Sequence, residues 1–125
     1  MYSIETKNLT KKFKNKIAVN GIDLQIKKGE LFALLGTNGA GKTTTIKMLL
    51  GLQLPSEGTV KISGCDLKKD FASAISNVGA IVENPDHYMY LTGYENLEIA
   101  ANLYGLNEED MKLLVALRFL GCGML

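Results

Sequence analysis

Arginine is nearly missing: of 125 residues only Arg118 carries a guanidinium, and it lies in the last stretch of the chain. Enzymes that clamp a migrating phosphoryl group between arginines have little to build with here, which argues against a small-molecule kinase. Histidine is equally scarce. His87 stands alone, with no partner at ligand spacing, and reads as a surface histidine rather than a metal ligand. The two cysteines, Cys65 and Cys122, also lack metal-ligand spacing, and a reducing cytoplasmic compartment is the default expectation. Neither sign of charge dominates: 14 basic residues face 13 acidic ones, so no whole-protein field draws nucleic acid or acidic lipid. Long hydrophobic runs are missing too. Residues 113–125 are apolar, but Arg118 interrupts them and they are too short to span a bilayer; direct membrane insertion is not expected. The amino terminus has no likeness to a signal peptide, and the length suits one domain.

Against these absences stands one pattern, Gly36-Thr37-Asn38-Gly39-Ala40-Gly41-Lys42-Thr43, a Walker A phosphate-binding loop of the form G-x-x-x-x-G-K-[ST]. It follows the apolar run Leu31-Phe32-Ala33-Leu34-Leu35 and opens the helical stretch Thr44-Thr45-Ile46-Lys47-Met48-Leu49-Leu50, the strand-then-helix setting in which the pattern has mechanical meaning. Glycines let the backbone wrap with its N–H groups inward, since positive φ and close approach to a ligand are cheap only without a Cβ. The helix adds the positive end of its dipole, Lys42 reaches the β- and γ-phosphates, and the Thr43 hydroxyl is placed to ligand Mg²⁺. Nucleotide is the first ligand expected, held by residues 36–43 together with Thr44.

The remaining chain reads as alternating short elements. Residues 2–9 and 17–26 alternate as half-buried strands, and Lys28-Gly29-Glu30 turns between the second of them and the phosphate-loop strand. Gly51 ends the first helix, Pro55-Ser56-Glu57-Gly58 turns, and Thr59-Val60-Lys61-Ile62-Ser63-Gly64 supplies another strand. Residues 70–76 suggest a short helix. The apolar run 78–82 suggests a strand covered on both faces of a parallel sheet, broken by residues 83–87. A capping box, Thr92-x-x-Glu95, starts a helix that Gly105 stops, and Asn107 caps a last helix with acids in its first turn.

This order of parts resembles the ATP-binding subunit of an ABC transporter, from about residue 2 to about residue 112. The matching pieces are Leu9-Thr10-Lys11-Lys12-Phe13, Ala18-Val19, Lys28-Gly29-Glu30, the phosphate loop, Gly51-Leu52 with Pro55-x-x-Gly58-x-Val60, and Leu91-Thr92-Gly93-Tyr94-Glu95-Asn96-Leu97. The stretch Glu83-Asn84-Pro85 followed by the last of these looks most like bacterial exporters of peptide antibiotics, the bacitracin and lantibiotic resistance type. The resemblance implies an α/β fold, the amino-terminal half of a P-loop NTPase: a β-rich antiparallel layer at 1–30, a parallel-sheet P-loop core at 31–82, and the start of a helical portion at 83–125 with an atypical tail at 113–125. It implies ATP and Mg²⁺ as cofactors, and Phe13 as the aromatic that stacks on adenine. Glu83 falls where most of the family has a glutamine that touches Mg²⁺; it is a candidate metal ligand and, with Lys42, a candidate catalytic residue, or else a plain strand-end residue. Residues 84–91, with His87, Tyr88, Met89 and Tyr90, are the candidate docking surface for a membrane permease. The chain would then be cytoplasmic, peripheral to the inner face of the plasma membrane.

Two departures qualify these expectations. Nothing after residue 83 supplies the signature L-S-G-G-Q, a strand ending in Asp-Glu, or a later histidine switch, so nucleotide binding is expected to outlast hydrolysis. The tail from Arg118 fits no family motif and resembles a premature stop, a shifted frame or a trimmed chain. Open strand edges and the apolar tail point to a homo-oligomer. The leading reading is the ATP-binding half of a transport ATPase; a small-molecule kinase and a non-catalytic nucleotide-binding fragment are the alternatives.

Overall fold

Apolar residues that alternate along a run give a pleated strand one face for the core. In the computed structural model the first two such runs form β1 (Tyr2–Phe13) and β2 (Lys16–Lys27), an antiparallel hairpin closed by Lys14 and Asn15. Lys14 has φ of 39°, the positive value that a tight hairpin turn calls for. The structure describes residues 1–80, 82, 88–110 and 112. β3 (Glu57–Ile62) pairs with the other edge of β1, and the short β4 (Cys65–Asp66) pairs with β3, giving the order β2-β1-β3-β4 with every pairing antiparallel. Helices α1 (Lys42–Leu49) and α2 (Phe71–Ile75) accompany this sheet, and α3 (Gly93–Leu103) follows later in the chain.

Residues 1–84 and 85–125 form separate compact units. In the first, Leu9, Val19, Val60 and Ile62 from the sheet meet Met48 of α1, Ala74 of α2 and Leu67, which directly follows β4, in one buried cluster. Leu9 and Met48 are fully buried, and removing such a side chain typically costs about 2–5 kcal/mol. The phosphate-loop helix is thereby fastened to the sheet at its far end. Gly51 stops that helix as expected: with φ of 70° it donates its N–H to the Met48 carbonyl at 3.1 Å, while the Leu52 N–H donates to Lys47 at 2.9 Å. Buried threonines mend irregularities in the hairpin. Thr6 donates its hydroxyl to the Ile22 carbonyl and accepts from the Leu24 N–H, at 2.8 and 2.9 Å, where the register of β1 and β2 shifts.

In the second unit the expected capping box opens α3. The Glu95 N–H donates to the Thr92 hydroxyl at 3.3 Å, and the Thr92 N–H donates back to the Glu95 carboxylate at 2.7 Å. Gly105, with φ of 66°, ends the helix. The next turn starts where Asn107 accepts from the Asp110 N–H at 2.9 Å, also as expected.

The α/β class and the antiparallel layer hold, but two expected strands are not seen among the described residues. Residues 31–35 pair with no strand, and among residues 78–80 and 82 there is likewise no ladder. The cause is topological: a ladder needs a neighbour on at least one edge, and the described residues place none beside either run. Leu31 and Leu35 are in consequence 99 % and 89 % exposed. The parallel core expected at 31–82 therefore contributes its loop and helices to the described structure, without parallel pairing. No helix among the described residues is long and apolar enough to cross a membrane.

Candidate functional site

The phosphate loop is built around the start of α1. Gly41 is its N-cap, with φ of 96°, and no side chain caps the helix; its first turn carries no acidic residue. The first-turn N–H groups therefore open toward the loop, uncompensated by a local carboxylate, which is the electrostatic form of an anion site. Gly41 is irreplaceable on steric grounds as well. A Cβ at this position would lie 2.3 Å from the Ala18 carbonyl oxygen and 3.2 Å from Val19. That contact presses the end of the loop onto β2, where the register shift between the pairs Lys11↔Val19 and Lys12↔Ile17 leaves Ala18 as an extra residue.

Within the loop, the Ala40 N–H donates to the Thr37 carbonyl at 3.1 Å, closing the turn over Asn38 and Gly39, whose φ is 83°. Lys42 bends back over this turn: its Nζ donates to the Gly36 carbonyl at 2.5 Å and to the Thr37 carbonyl at 2.7 Å. The ammonium is thus held across the mouth of the loop by the loop's own oxygens. Thr43 is exposed and Thr44 half-buried, while Thr45 is buried, its hydroxyl and N–H both donating to the Gly41 carbonyl at 2.8 Å. At the start of α1 Thr43 is the exposed hydroxyl, and it suits a hard cation that keeps most of its ligands as water and phosphate oxygen. Among the described residues no group of three or more His, Cys, Asp or Glu side chains could hold a metal unaided. These features fit a magnesium-bound polyphosphate.

Phe13 closes β1 opposite Lys16 and is 43 % exposed. Since Gly41 lies on Ala18, two positions along β2 from Lys16, the ring and the loop share one end of the sheet. The Lys11 Nζ stands 5.3 Å from the centroid of the ring and donates to the Leu54 carbonyl at 2.6 Å. Glu83 and residues 84–87 lie outside the described residues. The described part of the candidate docking segment, residues 88–91, presents Met89 and Tyr90 at 93 % and 81 % exposure, with the rings of Tyr88 and Tyr90 5.8 Å apart. One side chain organises it. The Asn96 Oδ1 accepts from the Tyr88 N–H at 2.9 Å, and its Nδ2 donates to the carbonyls of Tyr88, Leu91 and Thr92 at 3.2, 3.3 and 3.0 Å.

Sequence reasoning gave no role to Lys11, Ala18 or Asn96. For Asn96 a signal existed: an amide one turn behind a capping threonine can bond back to the loop that precedes the helix. For Ala18 there was none, because a bulge is a property of two strands.

Residues 19–124 match the ABC transporter family. The chain is 50 % identical over 104 residues to the bacitracin transport ATP-binding protein BcrA of Enterococcus faecalis, covering 83 % of this chain and 34 % of that protein. It is 40 % identical over 107 residues to the protein of the same name from Bacillus licheniformis, covering 86 % of this chain and 35 % of that one. The chain thus spans about a third of the length of these relatives. Among solved structures it is similar to an ATP-binding subunit of an ABC transporter, with a TM-score of 0.72 and 36 % identity over 85 % of this chain and 44 % of the other. A bacterial ABC transporter cassette solved as a dimer gives the same TM-score of 0.72 at 28 % identity, covering 86 % of this chain and 52 % of that one. Matched in sequence over most of its length and in fold over its described elements, the chain belongs to the ABC transporter family.

Proposed function

We propose that this chain is an ATP-binding component of an ABC transporter, which holds magnesium-ATP on residues 36–44 and serves export of a peptide, antibiotic or similar compound through a separate permease. The observation that carries the reading is the joint geometry of the loop: an uncapped, acid-free helix start, a glycine pressed onto β2, and the Lys42 ammonium poised over two loop carbonyls. ATP, when bound, supplies the phosphoanhydride whose cleavage drives transport. Lys42 neutralises phosphate charge, Thr43 offers an oxygen to Mg²⁺, and Phe13 carries the base. Glu83 is proposed as a further magnesium ligand and candidate catalytic residue. The domain is read as one partial ATP-binding unit, 1–125, with the layer, core and helical portion divided near residues 30 and 82.

The relatives' names support transport of bacitracin-like compounds, and residues 84–91 are proposed as the permease contact, which would keep the chain at the inner face of the plasma membrane. The sequence carries no apolar run ending in Asp-Glu, the pair that would position Mg²⁺ and the attacking water, and we read this chain by itself as a nucleotide binder with very weak hydrolysis. Calorimetry with magnesium-ATP tests the site: Lys42→Ala should lower affinity by about 1.5–3 kcal/mol through loss of a charge-assisted contact. Equal affinity in the two proteins would remove the assignment. Phosphate release assays separate the remaining readings, since rapid turnover by the isolated chain would contradict the weak-hydrolysis reading, and phosphate transferred to an added acceptor would favour a kinase.

A further inference from the structure

We propose that Lys11 is a positioning residue for the base: it occupies one face of the Phe13 ring and ties that ring to the segment leaving the phosphate-loop helix, so that a purine stacks on the opposite face. The proposal rests on the nucleotide reading above.

Lys11 and Phe13 are two apart on β1 and so project from the same face of the strand. The Lys11 ammonium has two partners at once, the ring at 5.3 Å and the Leu54 carbonyl at 2.6 Å. The second partner turns an ordinary cation–π contact into a tether. Leu54 lies just beyond the end of α1, where the Leu52 and Gln53 N–H groups both donate to Lys47 of that helix at 2.9 and 3.2 Å. Two further bonds fix the same segment against β1: the Ser56 N–H donates to the Thr10 carbonyl at 2.8 Å, and the Lys12 N–H donates to the Ser56 hydroxyl at 3.0 Å. An ion pair between Lys12 and Glu57 adds a third. The ring is therefore placed relative to α1, whose other end binds phosphate, and the distance between base and phosphate sites is set within one rigid frame.

The covered face also has an electronic consequence. An aromatic face is negative, and a cation on one side draws that density toward itself. The free face then repels the π-cloud of a purine less. Lys11 acts on the base only through Phe13, so its effect belongs to the difference between ATP and a ligand without a base.

The test is calorimetric titration of the full chain with ATP and with inorganic triphosphate, in the wild type and in Lys11→Met, Lys11→Arg and Phe13→Ala. Lys11→Met keeps the aliphatic stem and should reduce the ratio of ATP to triphosphate affinity by about two- to fivefold with triphosphate binding unchanged. Lys11→Arg, which keeps charge and reach, should restore most of the ratio. In nucleotide-free protein the Phe13 ring proton resonances should move in Lys11→Met and return toward the wild type in Lys11→Arg. A ratio unaltered in Lys11→Met but reduced in Phe13→Ala would overturn the role of Lys11 while leaving the stacking platform intact. Equal losses for both ligands would mean a general structural role and also overturn it. If Phe13→Ala leaves the ratio unchanged, the platform itself is wrong and the proposal falls with it.

Discussion

At the scale of single residues, some side chains act by organising backbone. Asn96 is the clearest case, its carboxamide accepting from the Tyr88 N–H and sharing its two amide protons among the carbonyls of Tyr88, Leu91 and Thr92. Asn96→Ala should cost about 1–2 kcal/mol of local opening free energy, read as faster amide hydrogen exchange at Tyr88 with the α3 amides beyond the first turn unchanged. Unaltered protection at Tyr88 would show that the loop is held by something else. The turn of the glycine loop was legible in the sequence because its glycines stand at fixed spacing, whereas Phe13 was singled out by family resemblance alone. Lys11 over Phe13 and Gly41 against Ala18 were not legible, since both contacts join residues whose proximity follows from strand register and helix docking.

At the scale of elements, local chemistry and long-range pairing part company. Helix ends were readable: Thr92 with Glu95, Asn107 with Asp110, Gly51 and Gly105 all act within four residues, and each does what its type suggests. Strands were readable where a hairpin partner follows at once, as for β1 and β2. Among the described residues of 31–35 and 78–82 no ladder forms, because an apolar run says that a strand is possible but not that a neighbour exists. The capping box makes a pH prediction. Hydrogen bonds from Thr92, its backbone N–H first and its hydroxyl second, hold the Glu95 carboxyl below the ordinary glutamate range. A carboxyl with its folded value depressed adds stability above the unfolded value and loses it as pH falls through the folded one. The amino-terminal turn of α3 should therefore loosen on acidification below the usual glutamate range, seen as increased exchange at the Glu95 amide. Glu95→Gln should flatten that dependence; an identical acid transition in the variant would assign it to another group. Asp70, held low by Ser73, acts in the same sense at the start of α2.

At the scale of the whole molecule, the dominant fact is apolar surface on residues 31–35 with no strand partner among the described residues, alongside a family in which one solved cassette is a dimer. Exposed leucines with unpaired backbone favour association between chains. Light scattering should find a dimer or larger species at high protein concentration, and Leu31→Ser combined with Leu35→Ser should shift it toward monomer. A clean wild-type monomer would contradict this. The same five residues have a second consequence, because they form one shore of the phosphate loop. Its carboxyl-terminal shore is moored, with Gly41 on β2 and Met48 in the core, whereas among the described residues the amino-terminal shore has no ladder beneath it. A cradle moored on one side must spend part of its grip on aligning the other, so the heat of nucleotide capture should exceed the net gain in free energy, with entropy opposing.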